Sequence, residues 1–258
     1  MLQAITGLKG FAIEATDGQM GAVVDFLFDD ASWRVSWLVV ECGSWLRGRK
    51  VLIHPSAVSY TALADEEFNV DLTKAQVESS PEWGEHQPVS QRMERQLYEH
   101  YGWDPLWDEA PNPSAIPGAM ASPLMAPPNL GLPIGEQPHC ETAEPPETDM
   151  HLRSVSEVIG YHLLATDGEI GHVENFLIDA GDWGLHYFVA DTGSWWLGKQ
   201  VLIAPCAVQS IDWSDRHVHL DVTRKQVEES PPWDPLVVFD EVYAKQLHSH
   251  YGWPGSGA

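Results

Sequence analysis

Two imidazoles set one residue apart raise the first chemical question. His217-Val218-His219 would place both rings on one face of a β-strand, from which two neutral nitrogens could hold a divalent metal. An exposed strand face that merely carries histidine explains the same residues, so His217 and His219 stand as slight metal candidates. No catalytic residue, resident metal or cofactor is assigned. Asp17 and Asp167 lie in Thr-Asp-Gly triplets, where Asp-Gly builds a tight turn with positive φ at glycine. Asp29 and Asp179 each end a strand before another turn, and turn chemistry accounts for them without paired-carboxylate acid–base work. Ser44 and Ser194 sit in Gly-Ser-Trp and lack the Gly-x-Ser-x-Gly elbow of a hydrolase. His100 and His250, in His-Tyr-Gly-Trp, fall at the end of a helical pattern, where a cation favours the helix dipole and where a pH-dependent role is the other reading. No phosphate-cradling glycine loop is present. These residues point away from an enzyme.

The aromatic residues point towards contact surfaces. Trp33, Trp37, Trp45, Trp83 and Trp103 are matched by Trp183, Tyr187, Trp195, Trp233 and Trp253, more than one small core buries easily. Trp45, Trp195, Trp196, Trp103, Trp253, Tyr101 and Tyr251 are the candidate interface residues, sealing the halves of the chain against each other or meeting a partner. Charge limits what that partner is. The net charge of -24 is spread along the whole chain, and residues 104–150 hold no Lys or Arg. Nucleic acid and anionic membrane surfaces are therefore disfavoured. No apolar run approaches a membrane span and the first residues carry no signal pattern, so a cytoplasmic location without membrane insertion is expected. Cys42, Cys140 and Cys206 show no ligand spacing and read as thiols in a reducing compartment.

The elements that position these residues come in two copies. Residue n aligns with residue n+150 without a gap from Leu2/Leu152 to Trp103/Trp253. Between the copies lies a Pro-rich acidic segment, and the boundaries expected are 1–108 for the first copy with its helical tail, 109–150 for a linker, and 151–258 for the second copy. Within the first copy, segments near 10–15, 20–29, 34–41, 49–54 and 66–72 read as short strands. One of them has a fault: Val23 and Leu27 share a face while Phe26 takes the other, so a bulge is expected near Asp25 and, by repetition, near Asn175. Helices are expected at Lys74 to Glu78 and Arg224 to Glu228, then at Ser90 to Tyr101 and its counterpart, where Tyr243, Leu247 and Tyr251 form a stripe.

In sequence order, Thr-Asp-Gly-x-x-Gly-x-Val, Phe-Leu-x-Asp, Gly-Ser-Trp-x-x-Gly, Val-Leu-Ile-x-Pro and Asp-x-Thr-x-x-Gln-Val-Glu-x-Ser-Pro occur twice. This order resembles the PRC-barrel domain, named for the photosynthetic reaction-centre H subunit, and the whole chain resembles soluble bacterial proteins built from two such repeats. The resemblance implies a mainly β fold of two small barrels with short C-terminal helices, packed about a pseudo-twofold axis. Relatives include the reaction-centre subunit, with its membrane helix, and the C-terminal half of a ribosome-maturation factor. What they share is docking onto other macromolecules. The function expected is a non-enzymatic adaptor or assembly module with an unspecified protein partner, the two barrels pairing within the chain and leaving room for a further homo-oligomer. A metal- or small-molecule-binding stress regulator using the interbarrel cleft, or a photosynthesis-related factor, are the alternatives.

Overall fold

The computed structural model describes residues 2–62, 66–83, 89–103, 152–193, 199–235 and 239–253. One compact unit comprises residues 1–89 and 151–258, and a second comprises 90–150. The first unit is mainly β. Its strands are β1 Leu2–Ala4, β2 Ala12–Ala15, β3 Gly18–Asp29, β4 Arg34–Cys42, β5 Lys50–Ile53, β6 Val58–Ala62 and β7 Glu67–Val70. The second copy repeats them as β8 Leu152–Ser154, β9 His162–Ala165, β10 Gly168–Asp179, β11 Gly184–Asp191, β12 Gln200–Ile203, β13 Val208–Asp212 and β14 His217–Leu220. All belong to one curled sheet, along which the order is β13-β14-β9-β10-β11-β4-β3-β2-β7-β6, with β5 on β4 and β12 on β11. The order within each copy is the same, so the duplication in sequence is also a duplication in pairing.

The expected bulge is present in both copies. The register between β3 and β4 shifts between Val23 and Asp25, and that between β10 and β11 shifts between Val173 and Asn175. Each shift turns the strand over, which is how Val23, Phe26 and Leu27 all come to be buried. A second shift follows at Leu27/Phe28 and Leu177/Ile178, which the side-chain pattern does not announce. Glycine is required where β3 crosses β4 closely: a Cβ on Gly21 would lie 2.2 Å from the Glu41 carbonyl oxygen, and one on Gly171 1.9 Å from that of Asp191.

Six of the seven strands in each copy pair among themselves, and the first strand of each, β1 or β8, pairs with the sister instead. β1 pairs with β10, Leu2 opposite Asp179, and β8 pairs with β3, Leu152 opposite Asp29. Backbone bonds join Val35 N–H to the Trp183 carbonyl (2.8 Å) and Leu185 N–H to the Trp33 carbonyl (2.7 Å). Every one of these links has its counterpart 150 residues away. The short strands β1 and β8 carry too few residues to be read from periodicity, and neither they nor β6 and β13 follow from the sequence pattern.

Helices α1 Lys74–Glu78 and α4 Arg224–Glu229 follow the last strands, and Thr73 and Thr223 each close a capping box with Gln76 and Gln226. Asp17 and Asp167 do more than turn the chain, since their Oδ1 atoms accept the N–H of Lys74 (2.9 Å) and Arg224 (2.7 Å) at the starts of these helices. A single turn, α3 Val155–Val158, precedes β9. The last helix, α5 Glu241–Tyr251, is capped by Asp240 and stopped at Gly252 in the left-handed region. Its Ala244, Leu247 and Tyr251 are buried, and the Tyr243 hydroxyl donates to the Pro231 carbonyl at 3.2 Å. In the second unit, α2 Gln91–Tyr101 is capped by Ser90 and ends at Gly102, the same design. Among the described residues, no helix is long and apolar enough to cross a membrane.

Candidate interaction site

The Gly-Ser-Trp turn of the first copy is a single 3-10 turn, Ser44 to Leu46, closed by Arg47 and Gly48 in the left-handed region. The Trp45 indole leans over β3, where its Nε1–H donates to the Met20 carbonyl at 2.6 Å. The backbone N–H of Gly43 reaches the same carbonyl at 3.2 Å. Beside the ring opens a pocket of about 670 Å3, lined by Gln19 to Ala22 of β3, Glu41 and Cys42 of β4, and the turn itself. Glu41 is exposed at its rim and Trp45 is half-buried. Cys42 is buried, and burial pushes its thiol up to about 11, against the smaller opposing pull of Arg49, so it is a protonated packing group.

The turn is anchored from behind. Arg49 Nη1 donates to the Glu78 carbonyl at 3.1 Å and Nη2 to that of Ser80 at 2.5 Å, both at the end of α1. Lys199 Nζ meets the Glu228 carbonyl at 3.2 Å and that of Ser230 in the second copy. A cation placed on the last carbonyls of a helix satisfies orphan acceptors and suits the dipole.

Trp195 and Trp196 lie outside the described residues. Trp253 stacks on Tyr251 with ring centres 4.1 Å apart, and Tyr251 is buried. In the second unit Trp103 stacks on Tyr101 at 4.4 Å. His250 lies in the last turn of α5, but its Nε2 donates to the Gln226 carbonyl of α4 at 2.7 Å. His248 Nε2 lies 2.8 Å from the Tyr187 hydroxyl, which burial pushes up to about 12.

The seam between the copies is filled with rings. Trp33 stacks on Phe28 (5.4 Å) and meets Phe188 of the second copy edge-on (5.0 Å), while Trp183 lies 5.8 Å from Phe68 of the first copy. Phe28, Phe68, Phe176 and Phe188 have no accessible surface. Polar contacts frame the rings. Asp25 accepts from Ser154 (2.5 Å) and from the hydroxyl (2.7 Å) and N–H (3.1 Å) of Ser156, with Lys9 at 3.3 Å. Asn175, its counterpart, accepts from Thr6 N–H at 3.3 Å and donates to the Thr6 hydroxyl at 2.6 Å.

His217 and His219 project from β14 on the side opposite buried Val218. Sequence reasoning missed their neighbours: His217 is paired across the sheet with His162 on β9, and His162 with His172 on β10. The signal was present, because the equivalent first-copy residues are Glu67, Ala12 and Ala22. Among the described residues, no group of three His, Cys, Asp or Glu side chains already stands in metal-holding geometry. No family model matches the chain, and no curated protein matches it.

Proposed function

We propose that the chain is a tandem PRC-barrel, arranged about a pseudo-twofold axis, that acts as a non-enzymatic adaptor by docking a basic segment of a protein partner. One observation carries the reading: Trp45 stands half-buried beside a pocket of about 670 Å3 with the Glu41 carboxylate exposed at its rim. An aromatic flank with an acidic edge suits an apolar side chain flanked by Lys or Arg. The formal charge of -24 adds long-range attraction for such a segment and repels nucleic acid. The seam supports the tandem arrangement, because its strand links are reciprocal and its aromatic rings are already used inside the chain.

The test is a side-by-side capture with wild-type and Trp45→Ala protein immobilised at equal density. A specific partner is retained by the wild type, is released as ionic strength rises, and falls at least about tenfold on the variant. Equal recovery on both surfaces refutes the docking site.

A further inference from the structure

The outer face of the second copy carries a row of histidines that its duplicate lacks. In the ladder, His217 of β14 stands opposite His162 of β9, and His162 opposite His172 of β10. Direct cross-strand partners share a face, so three imidazoles line up across three adjacent strands, with His219 two positions from His217 on that same face. In the first copy the same row reads Glu67, Ala12 and Ala22, with Asn69 at the position of His219. The fold therefore requires none of these histidines.

We propose that this row binds a divalent transition cation of the zinc or copper(II) type, with His162 and His217 as its principal ligands. Three observations carry it. The His162 and His217 ring centres are 5.5 Å apart. Imidazoles sharing one ion at roughly 2.0–2.1 Å per nitrogen have ring centres roughly 5–6 Å apart, so these two need little movement. His162 Nδ1 lies 2.7 Å from Glu169 Oε1. A carboxylate only accepts, so Nδ1 carries the proton and Nε2 keeps its lone pair outward, the carboxylate–histidine arrangement that orients metal ligands. Glu169 is itself a second-copy feature, replacing Gln19. Finally, the His219 ring lies 6.4 Å from that of His217, within reach of a side-chain rotation that brings a third nitrogen to the ion. Asp212, opposite His217 in the ladder, adds negative charge to the rim. Imidazole donors select this class of cation over Mg2+ and Ca2+, which prefer all-oxygen shells.

Calorimetric titration of the untagged full chain with zinc chloride, with magnesium chloride as the control, tests the site. One zinc ion binds per chain and magnesium gives no heat. His162→Ala combined with His217→Ala weakens zinc binding by at least about tenfold, while His186→Ala, which alters an exposed imidazole elsewhere, leaves it unchanged. Copper(II) electron paramagnetic resonance supplies a second readout, in which equatorial nitrogen hyperfine structure is present in the wild type and lost in the double variant. His162→Ala restores the first copy's residue, and matching thermal melts show that the fold persists. Absence of stoichiometric zinc binding, or equal affinity in the wild type and the double variant, overturns the proposal.

Discussion

Trp33 has φ 56 and Trp183 φ 58, the left-handed region in which a large side chain costs about 1–3 kcal/mol. The turn that holds Trp33 there is fixed by Asp29, whose Oδ1 accepts from Ala31 and Ser32 and whose carbonyl accepts the Trp33 N–H. The return for this strain is the indole's position among Phe28 and Phe188. Trp33→Ala therefore destabilises by about 2–4 kcal/mol in a denaturant titration, and Trp33→Gly, which loses the same ring but relaxes the backbone, by about 1 kcal/mol less. His54 makes a different prediction. It is 7% exposed, its Nδ1 accepts from Ser56 N–H, and burial lowers its pKa from 6.5 to about 4. Below pH 6.5 the unfolded chain takes up a proton that the folded chain refuses, so stability present at neutral pH is lost as pH falls towards 4. Across that window the wild type loses about 3 kcal/mol more than His54→Ala, the residue the second copy carries as Ala204. Denaturant titrations at pH 7, 5.5 and 4 check the difference, and parallel pH curves for the two proteins exclude it. The turns at Asp17 and Asp167 were legible at this scale, but their bonds to the Lys74 and Arg224 N–H groups were not, while Thr73 and Thr223 cap the helices expected after them. The strained tryptophans and the histidine row were not legible, because Trp33 meets Phe188, Trp183 meets Phe68 and His217 meets His162 only through the fold.

The long strands β3 and β10 set the element scale. Their first bulge was readable because Val23 and Phe26 fall on opposite faces of a regular strand yet are both apolar, a conflict that only a register shift resolves. Gly171 holds the crossing of β10 with β11, at φ +136 and with the Asp191 carbonyl against its missing Cβ. Gly171→Ala is expected to cost more than 3 kcal/mol, roughly the sum of backbone strain and forced separation of the two strands, and to lower the melting temperature by at least about 8 °C. By contrast Gly181→Ala, at ordinary φ and 3.2 Å from the Asp179 carboxylate, changes it by less than about 2 °C. The Trp45 pocket illustrates the limit of reading elements alone. Gly43, Trp45 and Gly48 announce a reversal before β5, but nothing in their spacing says that the indole bonds back to Met20 on β3. That choice depends on β3 placing the Met20 carbonyl beside the turn, where it accepts from both the Gly43 N–H and the indole.

At the scale of the whole molecule, the duplication was plain from the 150-residue offset, whereas the exchange of β1 and β8 between copies was not, since three-residue strands have no periodicity to detect. The exchange makes the copies interdependent. Limited proteolysis within residues 104–150 should give two fragments that co-elute as one species in native size-exclusion chromatography and separate only in denaturant. Fragments that part under native conditions would show that the reciprocal strand links contribute little. The same topology has a temporal consequence. The edge of β3 at Leu27–Asp29 takes its partner from Leu152–Ser154, and β1 waits for Leu177–Asp179. During synthesis, the first copy thus leaves the ribosome with an open edge and a strand that has nowhere to go, until Leu152–Ser154 and then Leu177–Asp179, about 50 and 75 residues beyond Trp103, have been added. The stretch made in that interval is acidic, proline-rich, poor in strand formers and without Lys or Arg, a composition ill-suited to pairing with an open strand edge.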